Sequence, residues 1–311
     1  MVRAFIFPGQ GCQKAGMGKN LYENFPVAHD LFERANSFLS RRITDVMFTG
    51  DELELLQTKN TQLAVFVYEV ITALSQSDIH PDVVAGHSLG EYAALVVSGY
   101  LSFEDGLNLV QNRALIAQEV CDKYETAMGA IIGLPDEFVT KSLKILFEQN
   151  AEPVYVANYN GPGQIVITGS KKGIKNACKY FKSNGAKKSV ILPINGSFHS
   201  PYMNEAEERL GHIIDETHFE LSSIPICQCV DGIAHTNPDE IKKNLKKHIT
   251  HSVLWTDMVQ NMMHDGVTEF YEVGTDDTLQ KIVARMCPDS KICSLWDIPE
   301  YISYKIDYLQ S

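Results

Sequence analysis

The segment Pro81-Asp82-Val83-Val84-Ala85-Gly86-His87-Ser88-Leu89-Gly90-Glu91-Tyr92 restricts the possible folds more than any other stretch of the chain. A short β-branched run passes through a serine set between two glycines and enters an Ala-rich stretch with helical propensity. This pattern predicts a nucleophile elbow, a sharp strand-to-helix reversal with the serine at its tip. Gly86 and Gly90 suit it because side chains there would collide with the backbone or with the packed helix. The Ser88 hydroxyl is then lifted clear of the sheet and faces the N-terminus of the next helix. The Leu89 N–H and the helix dipole are placed to stabilise an oxyanion formed on an acyl group attached to Ser88. A plain tight turn with a buried serine would need no such flanks; the β-rich lead-in and helix-forming exit favour the elbow.

A chain of 311 residues can bury a sizeable core, as one large domain or as a domain carrying an inserted subdomain. The formal net charge of -12 argues against nucleic acid as a general partner, because neutralising phosphates requires a basic surface. The seven cysteines are an odd number without a C-x-x-C pair, so neither a disulfide framework nor a zinc knuckle is indicated, and reduced thiols in a cytoplasmic protein are expected. The N-terminal apolar run breaks at Pro8, too early for a signal peptide, and no uninterrupted apolar run is long enough to span a bilayer.

Residues 3–7 predict a first strand that ends in the loop Pro8-Gly9-Gln10-Gly11-Cys12-Gln13. At the carboxyl end of a parallel strand, such a loop is where α/β proteins place ligand contacts. Helices are expected around 27–35, over 61–74 with Leu63, Val67, Val70, Ile71 and Leu74 facing the core, and over 103–120 with Leu107, Val110, Leu115 and Ile116 facing it. Arg113 lies on the last of these. From 127 to 193 the pattern reads strand, helix, strand, the turn Asn160-Gly161-Pro162-Gly163, strand, helix, strand, the split βαβ arrangement. The expected fold is therefore α/β: a large α/β-hydrolase-like domain with a parallel sheet over 1–126 and 197–311, and an inserted ferredoxin-like (βαββαβ) small subdomain over 127–196.

Between 171 and 188 stand seven lysines, Lys171, Lys172, Lys175, Lys179, Lys182, Lys187 and Lys188, with no acidic residue among them. Such a run is commonly a solvated helix face; in an otherwise acidic protein it also suits docking of an acidic partner, with Lys171, Lys172, Lys179 and Lys182 as the candidates. The loop Asn195-Gly196-Ser197-Phe198-His199-Ser200-Pro201 carries one histidine, whose importance depends on whether it reaches Ser88. His248 and His251 have helical spacing but no accompanying third ligand motif, so no metal site is expected.

Taken together, Gly9-Gln10-Gly11, Gly86-His87-Ser88-Leu89-Gly90-Glu91, Arg113, Phe198-His199-Ser200 and Glu272-Val273-Gly274 resemble the malonyl-CoA:acyl carrier protein transacylase family, in order and spacing over nearly the whole chain. The flavour is nearest to the free-standing, trans-acting acyltransferases of polyketide synthases. The resemblance implies ping-pong transfer: Ser88 takes malonyl from malonyl-CoA, and the phosphopantetheine thiol of an acyl carrier protein removes it, with no further cofactor. It implies His199 as the general base, the N–H groups of Gln10 and Leu89 as the oxyanion hole, and His87, Arg113, Phe198 and His248 at the substrate. A guanidinium fork at Arg113 would select acyl groups that end in a carboxylate, and Phe198 would leave little room for a 2-methyl branch.

The chain departs from the family pattern at His248, where glutamine is common, at Cys12, where serine is more usual, and at Thr275-Asp276, where Pro-Gly is more usual. Since a main-chain carbonyl at position 248 is what orients the family's histidine, His199 should still be held. Two other classes compete: an acyl-thioester hydrolase on the same scaffold, against which Arg113 weighs, and a non-catalytic docking module for carrier proteins.

Overall fold

The computed structural model describes residues 1–76, 79–150, 152–194 and 196–295. Residues 296–311, which close the range expected for the large domain, and Asn195 of the histidine loop lie outside the described residues. Among the described residues ten strands are present: β1 (Val2–Phe7), β2 (Val83–Gly86), β3 (Thr126–Ile132), β4 (Val154–Gly161), β5 (Gln164–Ser170), β6 (Lys188–Ile191), β7 (Ile226–Cys227), β8 (Ala234–His235), β9 (Val267–Glu272) and β10 (Lys291–Ser294). They form two sheets. The larger has the order β10-β9-β1-β2-β7-β8, parallel throughout except where β8 turns back on β7. The smaller has the order β4-β5-β3-β6 and is antiparallel, with the first and third strands of the insertion at its centre, as a βαββαβ unit requires.

The central strands of the larger sheet are buried on both faces, which accounts for their continuous apolar sequences Ala4-Phe5-Ile6-Phe7 and Val83-Val84-Ala85. One face packs on the helices Thr58–Leu74, Gly90–Val97 and Phe103–Cys121, the other on Trp255–His264 and Thr278–Met286. The helix Thr58–Leu74 is buried around almost its whole circumference, and Leu63, Val67, Val70 and Ile71 enter the core as expected. Leu74 does not: it is the last residue of that helix and stands 42% exposed. Leu115 is also misassigned as core, at 45% exposed, whereas Leu107, Val110 and Ile116 are buried. Two residues make about 200° of helix, so the face that buries Ala117 and Val110 turns Leu115 to solvent.

The two sheets are joined along one seam. Val253 donates its N–H to Ala157 O at 2.8 Å and accepts from Tyr159 N at 2.9 Å, and Ser252 Oγ donates to Val156 O at 2.6 Å. Through this seam β4 pairs in parallel with the segment that leads into the helix Trp255–His264. Among the described residues no helix is long and apolar enough to cross a membrane.

Candidate active site

β1 and β2 run side by side with Phe7 opposite Gly86, so the loop after β1 and the turn after β2 emerge together at the carboxyl edge of the sheet. His87 N donates to Phe7 O at 2.8 Å, and the chain then reverses into the helix Gly90–Val97. The glycines are required by contact: a Cβ on Gly86 would lie 2.1 Å from Glu91 N, and one on Gly90 would lie 2.2 Å from Phe7 O. A Cβ on Gly9 would lie 2.7 Å from His87 O, which brings the Gln10 backbone up against the turn. The predicted elbow is present, with Ser88 at φ 54°.

His199 comes from a loop in the other half of the sequence. Gly196, at φ 130°, bends the chain where a Cβ would lie 2.3 Å from Cys121 Sγ. Ser197 and Ser200 tie the loop down, through Thr168 Oγ1 to Ser197 Oγ at 2.7 Å and Ser200 Oγ to Ser197 O at 2.6 Å. His199 N donates to Ile249 O at 2.9 Å, and the residue has φ 59°. Only three non-glycine residues among those described have positive φ, and two of them are Ser88 and His199. Such a conformation costs about 1–3 kcal/mol per residue and persists where surrounding structure imposes it.

These two strained residues meet. Ser88 Oγ lies 2.7 Å from His199 Nε2, while His199 Nδ1 donates to the main-chain carbonyls of His248 at 3.1 Å and His251 at 2.9 Å. The carbonyl partners fix the tautomer, so Nε2 is left to accept the Ser88 proton. Burial, assisted by the Arg113 cation, pushes the His199 imidazole down to about 3, which keeps it neutral at physiological pH. The His251 carbonyl was not anticipated, because a backbone acceptor leaves no trace in side-chain identity.

Arg113 is 2% exposed, so it is not a surface helix arginine. Its guanidinium lies 5.6 Å from the Phe198 ring centroid and 5.7 Å from that of Tyr92. Nη1 donates to Gln62 Oε1 at 2.6 Å and Nη2 reaches Ser88 Oγ at 3.4 Å. Burial lowers its pKa. No carboxylate pairs with it through a salt bridge among the described residues, so a fixed cation beside the nucleophile faces whatever binds there. Gln62, Tyr92 and Asn160 are the side chains that sequence reasoning missed. Tyr92 sits inside the elbow motif, whereas Gln62 carries no signal beyond being a polar residue on an otherwise apolar helix.

His87 packs against Trp255 and hydrogen-bonds through Nε2 to Asn160 Oδ1 at 2.8 Å, which joins the elbow to the smaller sheet. The His248 ring is fully buried among Tyr92, His199 and Glu91, and the residue meets His199 both edge-to-face through this ring and through its carbonyl. Burial holds its imidazole neutral. Glu272 has a packing role: its carboxylate accepts from Leu279 N and Gln280 N at the start of the helix Thr278–Met286, and burial raises it to about 7. A Cβ on Gly274 would meet Pro8 at 2.5 Å, which seats this strand end against the first loop. Cys12 and Thr275 face each other there, the Thr275 hydroxyl donating to the Cys12 carbonyl.

His199 lines one edge of a 530 Å³ cavity beside the smaller sheet, with Leu143, Phe147, Tyr155, Tyr159, Pro201 and His251 among its other walls and Ser88 and Arg113 outside its lining. A larger cavity of 750 Å³, between Lys14 and Asp276, holds neither Ser88 nor His199. Lys171, Lys172, Lys179 and Lys182 are exposed along the helix Lys171–Ser183, and Lys172 pairs with Glu152 at 3.1 Å.

A family model described as "Acyl transferase domain" matches residues 4–295. The malonyl CoA-acyl carrier protein transacylase of Bacillus subtilis (strain 168) is 37% identical over 309 residues, covering 99% of this chain and 97% of that protein. The polyketide biosynthesis malonyl CoA-acyl carrier protein transacylase PksC of the same organism is 36% identical, covering 92% and 98%. Among solved structures, an acyl-carrier-protein-S-malonyltransferase from Bartonella henselae superposes with TM-score 0.92 at 31% identity, covering all of both chains. A malonyl-transacylase solved in complex with its type II polyketide acyl-carrier protein superposes with TM-score 0.92 at 29% identity, covering 99% and 100%.

Proposed function

The chain belongs to the acyl transferase family, and from that premise we propose that it is a malonyl-CoA:acyl carrier protein transacylase with Ser88 as nucleophile and His199 as base. The observation that carries this reading is the convergence of Ser88 Oγ, His199 Nε2 and the buried Arg113 guanidinium on one point.

In the first half-reaction Ser88 Oγ attacks the malonyl thioester carbonyl while its proton passes to His199 Nε2. The oxyanion is received by the N–H groups of Gln10 and Leu89, one from each of the abutting loops. The intermediate collapses, the C–S bond breaks, and CoA leaves as a thiol with the proton from His199. The second half-reaction runs in reverse, with His199 deprotonating the phosphopantetheine thiol and returning a proton to Ser88. Neither step needs a resident cofactor.

Malonyl places a carboxylate two carbon–carbon bonds beyond the reacting carbonyl, where Arg113 can take it through two charge-assisted hydrogen bonds. Acetyl would leave the buried guanidinium unpaired. The aromatic cavity leading to His199 suits the slender pantetheine arm shared by both thioester partners. Its position favours the insertion, proposed as residues 127–196, as one wall of the entrance.

The test follows radiolabelled malonyl from malonyl-CoA onto a phosphopantetheinylated carrier protein and into free malonate. Loading should greatly exceed release, and Ser88→Ala should abolish both. Release outpacing loading would make the protein a hydrolase; unaltered function in Ser88→Ala would leave only a docking module.

A further inference from the structure

We propose that Glu91, Cys229 and His248 form a binding site for a thiophilic divalent cation, zinc above all, directly behind the nucleophile elbow. One ligand atom from each of the three residues lies within 4.8 Å of the other two. Glu91 and His248 are fully buried and Cys229 is 1% exposed. Neither ring nitrogen of His248 has a hydrogen-bond partner, a costly state for a buried imidazole, and Nε2 faces Glu91 Oε2 at 3.9 Å, too far for a direct hydrogen bond.

The donor set suits zinc, which takes thiolate, imidazole and carboxylate together at about 2.0–2.3 Å. Ligand atoms around a tetrahedral ion at those bond lengths stand roughly 3.3–3.8 Å apart, so the three need to close by about 1 Å. The glutamate is already oriented: Oε1 accepts from Gln228 Nε2 at 3.0 Å and Oε2 from Cys229 N at 2.9 Å, each oxygen keeping a further lone pair. On binding, the Cys229 thiol gives up its proton to solvent, as does Glu91 if protonated, while His248 binds neutral through Nε2. Two anions against one dication leave the buried site uncharged. Cys229 Sγ gives up its contact with Gly86 O, now 3.0 Å, for the metal bond.

The three ligands join distant segments. Glu91 stands in the first turn of the helix that follows Ser88, Cys229 lies just beyond β7, and His248 caps the helix Pro238–Lys247 and supplies a carbonyl to His199. A bound ion therefore ties the nucleophile's helix to the segment that orients the base. His251, at helical spacing from His248, contributes no ligand to it, and the site departs from the expectation that this segment holds no metal.

Because the site is closed, the protein is unfolded and refolded with zinc chloride, or separately with cobalt(II), and freed of excess metal on a weak chelator. Expected are one ion per chain, an unfolding temperature that rises with zinc concentration, and a thiolate-to-cobalt charge-transfer band. Cys229→Ser should abolish that band, and His248→Gln should weaken zinc binding by about tenfold or more. Circular dichroism of each metal-free variant checks folding, and the wild-type stoichiometry decides the matter if a variant fails to fold. Refolded wild-type protein without zinc, or a band that survives in Cys229→Ser, would overturn the proposal.

Discussion

At the scale of single residues, the arginine and the histidine are coupled. Burial, and after it the Arg113 cation, hold the His199 imidazole down at about 3, so the imidazole is neutral and weaker than its ordinary strength. Under the proposed function, a malonyl carboxylate bound to Arg113 would neutralise it and relieve that repulsion, linking recognition of the acid to activation of the base. Arg113→Ala should lower kcat/KM for malonyl-CoA by about 100-fold or more, roughly 3 kcal/mol, with a much smaller loss for acetyl-CoA. Unaltered malonyl-over-acetyl preference would refute the clamp. The pH profile follows by sign: the imidazole is active when deprotonated, and removing the nearby cation raises its pKa. The acid limb of kcat/KM should therefore lie well below pH 6 in the wild type and move upward in Arg113→Ala; a limb that stays put would uncouple the two side chains. The arginine and the histidine were marked out by the resemblance to the transacylase family, not by any local pattern of their own. The stack of Tyr92, guanidinium and Phe198, and the Gln62 hydrogen bond that aims it, were not, since those residues are brought together only by packing.

At the scale of elements, two loops from adjacent parallel strands share one small volume, and glycine is what lets them do so. A methyl group on Gly90 would meet both the Phe7 and the Pro8 carbonyls, at 2.2 and 2.3 Å, and backbone atoms of a central strand cannot move aside. Gly90→Ala should destabilise the protein by about 3 kcal/mol or more, as overpacking against rigid neighbours does. A urea-midpoint shift equivalent to less than about 1 kcal/mol would mean the elbow is looser than described. The elbow was legible because its flanks obey local rules of strand, turn and helix. The misplacement of Leu74 and Leu115 has a different origin: helical periodicity reports that a face is apolar, but the end of a helix and the angle of its neighbours decide where burial stops. The departures at Cys12 and at Thr275-Asp276 lie far apart in sequence, and only the fold puts Cys12 and Thr275 in contact.

At the scale of the whole molecule, an acidic protein of net charge -12 presents a line of lysines on the helix Lys171–Ser183 of the smaller sheet's layer. The cationic face stands out against that background, and an acidic carrier would be steered toward it over about 10 Å at 0.1 M salt and about 30 Å at 0.01 M. The double reversal Lys179→Glu and Lys182→Glu should raise KM for the carrier several-fold at low salt, with little change for malonyl-CoA and a smaller effect at high salt. An equal effect on both substrates, or none on either, would reduce the run to a solvated face.

The local chemistry of the chain was determined by its letters: an α/β alternation, a βαββαβ insertion, a serine on a glycine-flanked turn, and an arginine on a long helix each follow from short-range sterics and periodicity. The tertiary structure alone decided that residues 88, 113 and 199 meet at one point, that two backbone carbonyls orient the histidine, and that His248 lies against Glu91 and Cys229. The physical reason is that main-chain acceptors and long-range packing depend on where segments cross, which no local pattern of side chains encodes.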